Sequence, residues 1–259
     1  MSENTTPATI PGLEQDHVWL AETLRVSVFA MPGTPLTPKS WEDVFGTQPD
    51  QVMRQPGMPS IQAGAKDAAR WQIMHQLNRV DIIVSPESPT SPPTDIMTVG
   101  EFEARLSPLL NLAAKVIDPT AVVQRIAVGA ILLNTVDSIR DGLRRFQTIV
   151  PQVRRLPENS TDIFFQINVP IVTSDPIPEF LVNRLVKWQI TNIYLLGVQQ
   201  APSVFPQLTT TAVRPVLRLE LDINTPMERT TPIPTDKLEA LLGRLGEIAK
   251  GLAKTGEFQ

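Results

Sequence analysis

Few side chains in this chain are able to do covalent or acid–base chemistry. There is no cysteine, there are two histidines (His17 and His75), and there is one tyrosine, Tyr194. A thiolate nucleophile, a cysteine zinc site, an iron–sulfur cluster and a disulfide are therefore excluded. Acid–base work falls to carboxylates, hydroxyls, lysines or the two histidines. His75 has Asp81 within a few residues, a pair that would make a general base and its orienter. Yet His75 shares an alternation face with Trp71 and Ile73, so a partly buried structural histidine is the better expectation. His17, beside Asp16, reads as a surface residue.

Paired carboxylates would hold magnesium for phosphodiester chemistry. Asp81 and Glu87 run into prolines, and Glu220 and Asp222 lack a nearby lysine. Glu220, Asp222 and Arg218 occupy alternate positions, which suits a cross-strand ion-pair ladder. The 13 glycines form no phosphate-cradling set. No catalytic residue, metal site or cofactor is expected from these patterns. What remains is a run of arginines: Arg140, Arg144, Arg145, Arg154 and Arg155. It is either a contact for phosphates or an acidic partner, or a solvated helix face with Asp141 in the same stretch.

Apolar residues make up 42% of the 259, enough for a core, and charged residues 19%, too few for a disordered chain. Residues 1–120 carry 8 Lys/Arg against 14 Asp/Glu, and residues 121–259 carry 15 against 13. This imbalance falls short of the basic character of a dedicated nucleic-acid binder. The apolar run Ala127 to Leu133 is far shorter than the roughly 20 residues of a membrane span. Residues 1–16 read as a flexible leader without a secretory signal, and a cytoplasmic location is expected.

Alternation of apolar and polar residues predicts strands at Leu24–Val28, Val122–Asn134, Ile163–Ile171, Val186–Ile190 and Leu217–Ile223, with a hairpin over Arg70–Ser85 turning at Leu77 and Asn78. Val122–Asn134 is apolar on both faces, so a central strand covered on both sides is expected. Helices are predicted after Thr98 and Glu101, read as a capping box, with Pro108 kinking or splitting the run. Two more follow: one from Ser138 to about Gln147 capped by Asp137, and a leucine-striped one from Leu238 to Leu252 capped by Thr235 or Asp236. A short helix near Trp41 would be capped by Ser40 or Thr37. Proline, at 25 residues, clusters between these elements; Ser85–Thr94 is a stiff surface loop or a polyproline ligand.

The fold expected is α+β: a twisted, mostly antiparallel sheet with helices on one face. Trp-Gln-Ile at Trp71–Ile73 and again at Trp188–Ile190 suggests two related halves, 17–157 and 158–259, which could equally form one compact domain. The order of hairpin, proline segment, helix near Phe102, strand Arg125–Asn134 and the final Leu217–Ile223 strand with its leucine helix resembles a large family of bacterial proteins of about this length with no assigned activity. That resemblance implies no catalytic residues. The function expected is that of a non-catalytic interaction protein, a subunit or adaptor of a larger bacterial assembly, with a protein partner or a second copy. A nucleic-acid accessory role for the Arg140–Arg155 cluster and a carboxylate-dependent hydrolase are the alternatives.

Overall fold

The structure is a computed structural model and describes residues 18–199 and 207–256; the leader 1–16 and His17 lie outside them. Ten strands form one sheet: β1 (Leu20–Ala30), β2 (Gln51–Met53), β3 (Ser60–Lys66), β4 (Ala69–Gln76), β5 (Arg79–Ser85), β6 (Val123–Thr135), β7 (Phe164–Asn168), β8 (Ile171–Thr173), β9 (Phe180–Gln199) and β10 (Gln207–Asn224). The order is β2-β3-β4-β5-β1-β6-β10-β9-β7, with β8 also on β9, and every pairing is antiparallel. Four helices, α1 (Trp41–Phe45), α2 (Phe102–Val116), α3 (Ile139–Ile149) and α4 (Leu238–Thr255), pack on one face, so the fold is α+β.

The alternating strands send one set of side chains under these helices. Leu24, Val26 and Val28 of β1, Ile126, Val128 and Leu132 of β6, and Leu217, Leu219 and Ile223 of β10 are all buried. Trp188 lies at the centre, edge-on to Trp19 at 5.7 Å and tilted against Phe146 at 5.6 Å. Trp19 Nε1 donates to the Ala253 carbonyl at 2.8 Å, tying the start of β1 to the end of α4.

The sheet repeats itself. In the first half Trp71 pairs with Val84 and Val84 with Leu24; in the second Trp188 pairs with Leu219 and Leu219 with Leu132. One step along, Ile73, Ile82 and Val26 match Ile190, Leu217 and Asn134. The two Trp-Gln-Ile tripeptides are thus topologically equivalent. The helices agree: buried Phe102, Leu106, Leu109, Leu110, Ala113 and Val116 recur at the same spacing as buried Leu238, Leu242, Leu245, Gly246, Ala249 and Leu252. Each unit is a strand, an excursion bearing a short helix, a hairpin and a long helix. The repeated order places the start of the second unit at β6. Thr23 and Ile131, which pair with each other, occupy equivalent positions, so an approximate two-fold axis passes between β1 and β6.

Local details differ from expectation for identifiable reasons. Thr98 does not cap α2: residues 99–102 are tied to β1 instead, with Val99 N–H donating to Ala21 and Phe102 N–H to the Trp19 carbonyl. Pro108 leaves α2 unbroken because it sits on the exposed face, where water reaches the carbonyl its missing N–H would have served. Ser138, not Asp137, caps α3, its hydroxyl accepting from Asp141 N–H. Thr235 and Asp236 form a 3-10 turn running straight into α4, and the Thr235 hydroxyl donates to the Pro119 carbonyl. Ser40 caps α1 in a reciprocal box with Asp43. The Ile163–Ile171 strand is divided into β7 and β8 at Val169–Pro170. No described helix is long and apolar enough to cross a membrane.

Candidate functional site

At its middle, around Arg25 and Gly129, the face of the sheet away from the helices is open, whereas Leu133, Val216 and Leu195 on the same face are buried apart from the main core. β6 is central, as expected, and its second face is buried at Ala127 and Leu133 but opens into a cleft around Gly129 and Ile131. That second face is made of Ala127, Gly129, Ile131 and Leu133, the small residues lying beside side chains of neighbouring strands. The Arg25 guanidinium lies across Gly129, its nitrogens 3.6 and 3.7 Å from where a Cβ would stand.

The pairing register places one row of side chains across six strands: Ile83, Arg25, Gly129, Asp222, Leu185 and Asn168. The next row is Thr23, Ile131, Glu220, Lys187 and Gln166. Between these rows lies a cleft of about 350 Å³, within the size range of ligand sites, and it sits on the axis relating the halves. Its polar lining has both signs. Lys187 Nζ donates to Glu220 at 3.2 Å, Glu220 also accepts from Arg218, and Arg218 approaches Glu22 at 3.6 Å. This is the ladder expected for Arg218 and Glu220; Asp222 takes no part in it, its carboxylate accepting from Asn224 Nδ2 at 3.0 Å. Among the described residues Arg25 has neither an ion pair nor a hydrogen bond, although its row-mate Asp222 stands one strand beyond Gly129. A cation with unused donors at the floor of a cleft is a ready carboxylate or phosphate contact.

Farther along this face Phe29 lies between two guanidiniums, Arg79 at 5.0 Å and Arg125 at 4.9 Å. Beside it, Asp81 is fully buried, accepting from the Ser27 hydroxyl at 2.5 Å and from Arg79 Nε at 2.9 Å. His75 pairs with Val80 and faces the helices, whereas Asp81, one residue on, faces the open side. The two cannot meet, so a His75–Asp81 couple is ruled out by strand alternation. Among the described residues no group of three acidic or histidine side chains is placed to hold a metal.

The arginine run is divided by the fold. Arg140 pairs with Glu158; Arg145 donates to Asn134 Oδ1 at 2.7 Å and lies 3.4 Å from Asp141. Arg144, Arg154 and Arg155 are exposed, around the end of α3 and the turn after it. Ser85 closes β5, and residues 86–94 after it form an irregular, mostly exposed segment. Hydrogen bonds from the Thr120 side chain and backbone lower the Asp118 pKa, and burial lowers those of Arg184 and Arg229.

Sequence reasoning missed Arg25 because a lone arginine in an alternating strand carries no signal. Only the register, which brings glycine beside it on β6, makes it conspicuous. Comparison of the chain with protein-family models, curated protein sequences and solved structures finds no match.

Proposed function

We propose that this protein is a non-catalytic interaction protein, a subunit or adaptor of a larger bacterial assembly, that receives a protein partner on the open face of its sheet. The observation carrying this reading is the cleft on the two-fold axis, with the unpaired Arg25 on its floor and Ile83, Ile131 and Leu185 around it. A partner segment presenting a carboxylate between apolar side chains fits that lining: the guanidinium supplies forked donors and the aliphatic rim excludes water. Cations and anions alternate along the surrounding rows, which favours a protein over a uniformly charged polyanion.

The test is capture from native cells with wild-type and Arg25→Glu proteins, both checked for equal melting temperature. Loss of one specific protein from the Arg25→Glu capture is expected; an unchanged set of captured proteins would overturn the reading. The exposed Arg144, Arg154 and Arg155 support a second reading, nucleic-acid association. It predicts a salt-sensitive gel shift lost in Arg144→Glu/Arg154→Glu/Arg155→Glu and retained in Arg25→Glu.

A further inference from the structure

The two halves differ most in their hairpins. In the first, β4 turns back into β5 through Leu77 and Asn78. At the equivalent point the second continues: β9 and β10 stay paired out to Gln199 and Gln207. β7 leaves β9 at Gln189 and β6 leaves β10 at Val216, with Val136 N–H still donating to the Pro215 carbonyl, so residues 191–199 and 207–214 have only each other as strand partners. The result is a two-stranded arm about 30 Å long at the usual rise per residue. The first half shows that the core is complete without such an arm.

The arm's composition is unlike the rest of the chain. From Thr191 to Val213 there is no charged residue, although charged residues are 19% of the whole. Tyr194 pairs with Val213, and these two and Leu196 are 60%, 43% and 47% exposed. Its two edges differ. The β10 edge is blunted by a bulge at Thr211, by Pro215, which has no N–H, and by an approach of Arg214 to Asp95 at 3.7 Å. The β9 edge from Thr191 to Gln199 has no proline, no charge and no bulge. Proteins ordinarily protect such an edge, because its free backbone groups template pairing with another strand.

We infer that the β9 edge of the arm is the contact through which two copies of this chain form a dimer, pairing antiparallel about a two-fold axis. An antiparallel strand pair is self-complementary, so the same edge satisfies itself in both copies. An uncharged edge meets no like-charge repulsion at the axis, where a side chain faces its own copy. Pairing would also set Tyr194 and Leu196 of one copy beside those of the other, covering the apolar strip. This contact lies away from the cleft and is independent of what the open face binds.

The test is sedimentation of the full chain over a micromolar concentration series. Wild type should sediment as a dimer, and Tyr194→Lys/Leu196→Lys, with unchanged circular dichroism, as a monomer. A second variant that joins Ile193 to Arg214 through Asn-Gly, copying the turn of the first half, should also be monomeric. Because the chain has no cysteine, single cysteines placed in turn at Asn192 through Leu196 should give an oxidised dimer band at the position nearest the axis. A monomeric wild type, or a dimer that survives both variants, would overturn the inference; so would cysteines that fail to cross-link a dimeric protein at any of these positions.

Discussion

At Ser27 a single hydroxyl lies fully inside the sheet, donating to the buried Asp81 and accepting a longer bond from Arg79 at 3.5 Å. The carboxylate also receives Arg79, but its second oxygen has no partner among the described residues. Removing the hydroxyl takes away one of the few donors of a buried charge, and that group's desolvation is then less compensated. Ser27→Ala should therefore destabilise the protein by about 1–3 kcal/mol, measured by urea unfolding. Ser27→Thr, which keeps the hydroxyl, should lose less. A Ser27→Ala protein as stable as wild type would show that Arg79 alone satisfies the carboxylate. None of this was legible in the sequence: Ser27 and Asp81 reside on different strands, and only their cross-strand register joins them.

Among the elements, the strands flanking the core were readable because one of their faces is apolar and the other is not. The arm was not. Of Asn192–Leu196 only Leu195 is buried, so nothing imposes a clean period there and the expected strand ended at Ile190. β3 was missed for a different reason: Ser60–Lys66 has few β-branched residues and is a strand because it lies between β2 and β4. Its Gly64 lies under Trp41, whose ring would be 2.8 Å from an added Cβ. The helix pair was half legible. Gly246 flanks the leucine stripe, and the structure shows what approaches it: a Cβ there would stand 2.5 Å from Leu110 Cδ1. Leu110 and Gly246 are equivalent positions of the two units, so α2 and α4 cross where the repeat axis requires, a leucine of one filling the space left by the glycine of the other. Gly246→Leu should overpack this crossing and cost about 1–3 kcal/mol despite the better helix propensity. Leu110→Ala in the same chain should recover part of that loss, giving a coupling energy of about 0.5 kcal/mol or more. Additive losses in the double mutant would mean that the helices do not touch at this pair.

For the molecule as a whole, the duplication raises the question whether the halves are separate folding units. Their junction argues against it. β1 and β6 share a ladder running from Leu20–Leu133 to Ala30–Val123 at the middle of the sheet. The long helix of each unit packs on that of the other, and Trp19 of the first half lies on Trp188 of the second. Neither half closes a core by itself, since cutting between them exposes β1 on one side and β6 on the other, whose inward side chains are buried under helices. Unfolding should therefore be one cooperative event, with far-UV circular dichroism and tryptophan fluorescence giving coincident urea curves. Native-state hydrogen exchange offers the sharper measurement. The slowest amides of β5 and of β10 should open with the same free energy, that of global unfolding, while amides of the arm beyond Ile190 exchange far faster in monomeric Tyr194→Lys/Leu196→Lys protein. If β5 and β10 differed by more than about 1 kcal/mol, the halves would be distinct cooperative units and the seam between β1 and β6 an interface rather than a core.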